Sequence, residues 1–344
     1  MKKFMNKAET LVAESLAGFV AAHERLVTFG AERKFVRRRT LRPGKVALIS
    51  GGGAGHEPMH VGFVGKGMLD AACTGHVFTS PTPDQIIAAI RETDGGEGCL
   101  LIVKNYDGDV MNFEMAAELA AAEHRIATVI VRDDVNPSGS KRSQGRRGVA
   151  GTLVVEKLLG AAAEAGWRLE ELSALGDDLN ARIRTMGVAL GGVTVPDTER
   201  ETFVLDEDEM EMGVGIHGEP GRARVKFATA DQIVETTIEA ILNDLAPDGG
   251  DKLLLFINGF GGTPVSELYL AYNSARVRFA RLGVTVARSL VGTYVTSLDM
   301  AGLSITVARL DERELSLWDA PVDTAALRWE ADRIYRSARG PTEI

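Results

Sequence analysis

Short apolar runs alternate with stretches whose apolar positions recur at helical spacing, almost from end to end of the chain. VALIS (46–50), CLLIVKNY (99–106) and ATVIVRDD (127–134) read as strands. PDQIIAAIRET (83–93) has helical spacing and opens on a proline, which suits a first helical turn. A short Gly-Asp loop after CLLIVKNY leads into a helix over FEMAAELAAAEH (113–124), and VAGTLVVEKLLGAAAEAG (149–166) reads as a long apolar helix. This rhythm predicts an α/β fold with a largely buried sheet. A helix over about 168–183 leads into MGVALGGVTVP, and the pattern then begins again. MGVGI reads as a strand, TADQIVETTIEAILNDL (229–245) as a helix, and KLLLFING (252–259) as a strand. SELYLAYNSARVRFARLG (266–283) is a helix stopped by glycine, and VTVARSL and LSITVARL are further strands. The expected architecture is two α/β domains, 1–185 and 186–344, each a sheet flanked by helices, with the division near 183–190.

The N-terminal MKKFMNKAETLVAESLAGF carries Glu9 and Glu14 inside its apolar stretch, so it reads as an amphipathic helix and not a secretion signal. No apolar run is long enough to span a bilayer, so no membrane partner is expected. With 344 residues the chain suits two domains. The net charge of −9 argues against a nucleic-acid partner, which would favour a basic surface. The basic cluster RKFVRRRTLRPGK (33–45) is expected to be a solvated connector, and the acidic LDEDEMEM (205–212) a solvated turn before a strand. The only cysteines, Cys73 and Cys99, lie in or beside apolar segments, which suits a reduced, cytoplasmic protein.

Four glycine-rich segments follow strand patterns: 51–58, 104–109, 213–221 and 258–264. Such strand ends are where open α/β sheets place ligands. GGGAGHEP (51–58) lacks the GxGxxG spacing of a dinucleotide loop, and no GxxxxGK[ST] occurs anywhere. Its glycines either let backbone approach a small ligand with His56 in the pocket, or form a tight turn with the histidine as decoration. In KNYDGD, Asp109 either meets a ligand or caps the following helix. Lys104 ends an apolar strand, so it needs a partner, either a ligand or a neighbouring carboxylate. His217 in HGEPG is either a nucleophile and proton carrier or a histidine bonded within a turn. NGFGGTPVSEL (258–268) and GTYVTSLDMAGLSIT (292–306) either line a pocket or turn the chain. His23, His60, His76 and His124 show no paired spacing and no metal-site pattern with cysteine, so they read as structural or surface residues.

GGGAGHEP, VFTSPTPDQI, VKNYDGDVMNFEMA, GVGIHGEPG, NGFGGTPVSEL and GTYVTSLDMAGLSIT occur in that order, over about residues 5 to 335. Together they resemble the substrate-binding K subunit of dihydroxyacetone kinases. The resemblance implies that His217 adds through a ring nitrogen to the ketose carbonyl, giving a hemiaminal. It implies that His56 and Asp109 act on the hydroxyl that attacks the phosphoryl donor. Gly53, Ala54, Gly55 and Lys104 complete the implied substrate site. Ala54 stands where serine is frequent in the family, a change that keeps a backbone contact and removes a hydroxyl.

The resemblance also implies that no cofactor or metal binds this chain. ATP or ADP with magnesium is expected on a separate L-type subunit, supplied directly or by a phosphotransferase-system phosphoprotein. A homodimer is implied as well. Two alternatives accompany this reading: a kinase subunit for a related short ketose such as erythrulose, and a non-catalytic K-like coactivator.

Overall fold

The computed structural model describes residues 2–135, 145–196, 201–219, 221–247 and 250–330. The end of the second expected domain, 331–344, and Pro220 of the HGEPG loop lie outside them. The chain opens with α1 (Ala8–Ala22), β1 (Val27–Phe29), β2 (Val36–Arg38), β3 (Ala47–Ala54) and β4 (Ala71–Val77). Next come α2 (Pro83–Thr93), β5 (Cys99–Lys104), α3 (Asp107–Ala120) and β6 (Ile126–Val131). Two helices, α4 (Gly151–Glu164) and α5 (Leu169–Arg182), then lead into β7 (Ile183–Ala189), β8 (Glu209–Met212) and β9 (Ala223–Lys226). The rest is α6 (Ala230–Leu245), β10 (Lys252–Gly259), α7 (Val265–Arg281), β11 (Thr285–Gly292), β12 (Gly302–Leu310) and α8 (Glu312–Asp319).

These strands build two six-stranded sheets, ordered β1-β2-β4-β3-β5-β6 and β11-β10-β12-β7-β8-β9. In the first, β4, β3, β5 and β6 are parallel; in the second, only β10 and β11 are parallel. The fold is therefore mixed α/β, as the alternating pattern predicts.

Five layers stack. Helices α2 and α3 cover the outer face of the first sheet, where Ile86, Ile90 and Phe113 pack against Ile49, Leu101 and Val103. Helices α6 and α7 cover the outer face of the second, with Ile238, Ile241 and Phe279 in its core. Between the sheets lies α4, which touches β3, β5, β6 and β7. All residues from Gly151 to Ala163 are buried, which explains why this helix is apolar on every side.

Several details depart from the sequence expectation. Gly51 to Ala54 are not a loop but the last residues of β3, paired with β4. MGVGI is not a strand; β8 is formed instead by the end of the acidic run, with Met210, Glu211 and Met212 buried. The Glu211 carboxylate earns its burial by accepting from the Gly221 amide at 2.9 Å. The basic cluster is no mere solvated connector: it contains β2, and Arg38 and Lys45 are buried on Asp70. Arg38 also reaches Glu164 at the end of α4, so this cluster ties the first sheet to the central helix. Cys73 and Cys99 are free and buried.

The strand order sets the site. Chain order moves from β3 to its neighbour β4, then crosses to β5 on the other side of β3. That reversal opens a crevice beyond the carboxyl ends of β3, β4 and β5. Glycine is needed in β3 because other groups crowd it there. A Cβ on Gly52 would lie 2.2 Å from Lys104 Nζ, and one on Gly53 would lie 2.5 Å from the Thr79 amide nitrogen. Since backbone cannot yield as a side-chain tip does, Gly53→Ala is expected to cost about 1–3 kcal/mol. Thermal unfolding of the variant checks this; an unchanged melting temperature contradicts it.

Candidate active site

Two pairs of side chains meet at the crevice. The first is His56 with His217. His56 follows β3 and is fully buried. Its Nδ1 lies 2.8 Å from the Thr296 carbonyl oxygen and its Nε2 lies 3.0 Å from Nε2 of His217. His217 sits in the loop between β8 and β9, with Nδ1 3.3 Å from Oε1 of Glu219. The other carboxylate oxygen of Glu219 accepts from the His217 amide at 3.0 Å. Phe78, just after β4, stacks on His56 with ring centres 5.2 Å apart and meets the His217 ring edge-on. Tyr106 meets His217 edge-on at 4.5 Å.

The bonding pattern assigns the protons. A carbonyl oxygen only accepts, so Nδ1 of His56 carries a hydrogen and donates to Thr296. Burial, with the His217 and Lys104 charges, holds His56 well below the usual histidine range, so it is neutral and its Nε2 is a bare acceptor. Nε2–H of His217 therefore donates to it. Burial pushes the Glu219 carboxyl up, but the hydrogen bond and charge of His217, with the Arg147 charge, outweigh this. The carboxyl is held well below its usual range, so Nδ1 of His217 also carries a hydrogen to donate. Arg147 is fixed in turn by Asp134 at 2.6 Å and donates to the Gly213 carbonyl at 2.8 Å.

The second pair is Lys104 with Asp109. Lys104 ends β5, is fully buried, and lies 3.3 Å from Oδ2 of Asp109. Asp107 and Asp109 are not in a loop; they form the first turn of α3, whose N-cap residue Tyr106 makes no side-chain cap bond. Asp109 is buried, 4% exposed, and partnered by Lys104, which is the neighbouring-carboxylate alternative read for Lys104.

The other singled-out segments act as scaffold. Asn258 at the end of β10 accepts from the amides of Tyr294 and Val295 and donates to the Val295 carbonyl. This fixes the 292–300 segment, whose Thr296 and Leu298 amides donate to the His56 and Gly55 carbonyls at 3.2 and 2.8 Å. Gly55 donates its own amide to Glu57, and the Ala54 carbonyl accepts from Phe78. Ala54 is thus buried in strand pairing and its backbone oxygen is already used.

Sequence reasoning overlooked part of the site. His60 is buried and lies 3.0 Å from Lys104 Nζ, while its Nδ1 lies 2.6 Å from Oε1 of Glu156. The available signal was Glu156 itself, a carboxylate inside a helix apolar on all faces. Glu219 was visible two residues after His217, and Tyr106 inside KNYDGD. Among the described residues no group of three or more His, Cys, Asp or Glu side chains is arranged to hold a metal ion.

Burial pushes Glu156 up to about 8. Between its ordinary value near 4.5 and that value the folded state binds the proton and the unfolded state does not, so stability falls as pH rises through this window. Glu156→Gln is neutral throughout. The melting temperature of the variant relative to the parent is therefore expected to rise from pH 5 to pH 8; a constant difference contradicts this.

A family model described as the Dak1 domain matches residues 17–326. The chain is 48% identical over 328 residues to the PTS-dependent dihydroxyacetone kinase 1, dihydroxyacetone-binding subunit DhaK of Listeria innocua, covering 95% of this chain and all of that protein. Among solved structures it is similar to the dihydroxyacetone kinase operon co-activator Dha-DhaQ, with TM-score 0.88 and 33% identity over 92% of this chain and 98% of that one. It is also similar to the dihydroxyacetone kinase of C. freundii, with TM-score 0.86 and 35% identity over 95% of this chain and 60% of that one. Six motifs in register, a site built at the ends of β3 and β5, and a family match over most of the length lead to one assignment: the chain belongs to the Dak1 family.

Proposed function

We propose that this chain is the dihydroxyacetone-binding subunit of a dihydroxyacetone kinase, and that His217 holds the ketose covalently. The observation that carries the reading is the contact of His217 with both Glu219 and His56, which gives Nε2 a neighbour able to take its proton. In this geometry that proton blocks attack. It passes to the bare Nε2 of His56. The freed Nε2 lone pair of His217 then adds to the ketose carbonyl carbon. The C=O π pair moves to oxygen, which takes the proton back from His56. The product is a hemiaminal whose imidazolium charge is matched by Glu219, and His56 is neutral again. A ligand joined to Nε2 replaces the His56–His217 bond.

Chemical recognition of the carbonyl suits a small polyol, which offers little apolar surface. Glycerol has no carbonyl and cannot form the adduct. The bond also fixes the terminal hydroxyl for in-line attack, where positioning gains most. Asp109 accepts the hydroxyl proton, Lys104 holds Asp109 in place beside it, and the Gly53 backbone steadies the substrate. The phosphoryl donor, ATP or ADP with magnesium, is carried by an L-type partner subunit, with or without a phosphotransferase-system phosphoprotein behind it. The reading includes a cytoplasmic homodimer, each chain made of two domains, 1–185 and 186–344.

Similarity to a co-activator favours a second reading, binding without catalysis. The complete set of His56, Lys104, Asp109 and His217 favours the kinase reading. The test is reconstitution: this chain with an L-type subunit and its donor should phosphorylate dihydroxyacetone, and neither subunit should do so alone. Ketose binding without transfer under those conditions would favour the co-activator reading.

A further inference from the structure

Lys104 has three N–H donors and no acceptor. The structure gives it three acceptors: the Gly51 carbonyl at 3.1 Å, Oδ2 of Asp109 at 3.3 Å, and Nε2 of His60 at 3.0 Å. Lys104 is wholly buried, so an ammonium there needs all of them. Nε2 of His60 must then be bare, and the ring hydrogen must sit on Nδ1.

The other side of the ring is built to keep it there. Nδ1 lies 2.6 Å from Oε1 of Glu156 and 3.1 Å from Oγ of Ser50. Ser50 donates its only hydrogen to the Ile102 carbonyl at 2.7 Å, so its oxygen accepts from His60. Oε1 of Glu156 accepts whether the carboxyl is ionised or carries its hydrogen on the other oxygen. Both are fully buried, leaving no solvent to substitute for them. Burial, with the Lys104 and His56 charges, also holds His60 well below the usual histidine range, consistent with a neutral ring.

We propose that His60 is a positioning residue of the phosphoryl-transfer site: locked as the Nδ1–H tautomer by Glu156 and Ser50, it takes one Lys104 N–H and keeps that ammonium aimed at Asp109. The ammonium in turn fixes the Asp109 carboxylate where it can accept the substrate proton. This rests on the kinase reading, with Asp109 as proton acceptor. The titratable groups facing the cluster are His56 from the loop after β3, Lys104 from β5, Asp109 from α3 and Glu156 from α4.

Two measurements test it. Long-range ¹H–¹⁵N spectra of the intact chain read the His60 tautomer directly, without any partner. Nδ1–H with a bare Nε2 is expected; Nε2–H overturns the proposal. In the reconstituted kinase, His60→Phe removes the acceptor and His60→Gln restores one near the same place. His60→Phe should lower kcat roughly tenfold while KM stays near the parent value, because the carboxylate is bound alongside the substrate but misaimed for the proton. His60→Gln should return kcat toward the parent value, and both variants should still add a ketose at His217. An unchanged kcat in His60→Phe, or a loss that His60→Gln does not restore, overturns the proposal. If the parent complex transfers no phosphoryl group, the kinase reading fails, and the tautomer measurement still decides what His60 does.

Discussion

Replacing His217 by alanine should abolish ketose capture and lower phosphoryl transfer to dihydroxyacetone by roughly 10³-fold or more, because the covalent bond both selects the carbonyl and fixes the attacking hydroxyl. The loss should appear in kcat/KM, and discrimination against glycerol should shrink with it. His217 is partly exposed, with 18% of its side chain accessible, so the protein should remain folded. Steady-state rates of the reconstituted kinase, with circular dichroism as the folding control, check the prediction. Retained transfer in a folded His217→Ala protein would remove the covalent anchor from the mechanism.

Asp109→Ala should separate capture from transfer. His217, His56 and Glu219 are untouched, so the ketose should still add. The hydroxyl proton, however, loses its acceptor, and turnover should fall by roughly 10²–10⁴-fold. The variant also strands a buried ammonium, since Lys104 loses a partner 3.3 Å away. Removing one member of a buried ion pair typically costs about 3–5 kcal/mol. Asp109→Asn is the control: its amide oxygen still accepts from Lys104, so stability should recover while turnover stays low. Unchanged turnover in either variant would take the proton-accepting role away from Asp109.

Where the fold was legible in the chain, it was legible through length and period. PDQIIAAIRET is α2 to the residue, because Pro83 at the first helical position and Thr82 with Gln85 as a capping box mark its start. Several of the strands that escaped notice are short or poor in β-branched residues, and β7 follows so directly on α5 that its first residue was read into the helix. β1 and β2 have three residues each, and AACTGHV of β4 lacks an apolar alternation. Gly51 to Gly53 read as a loop because glycine usually marks one. Here glycine is required inside a strand by neighbours that leave no room for a Cβ.

The site shows the same division. His56, Lys104, Asp109 and His217 sit in dense local motifs, so their residue types and spacing were enough to single them out. His60 and Glu156 are joined by a contact between residues 96 apart in sequence, and Thr296 reaches His56 across 240. No local pattern encodes such pairings. They follow from the reversal of strand order at β3 and from α4 passing beneath it.

Gentle intact-mass spectrometry of the purified chain with dihydroxyacetone, erythrulose and glycerol in turn tests the covalent anchor most directly. A gain of one substrate mass with dihydroxyacetone, a smaller fraction with erythrulose, none with glycerol, and none in His217→Ala is the expected result. An adduct that survives in His217→Ala would place the bond elsewhere. No adduct from any ketose on a folded chain that still supports transfer with its partner would contradict covalent capture.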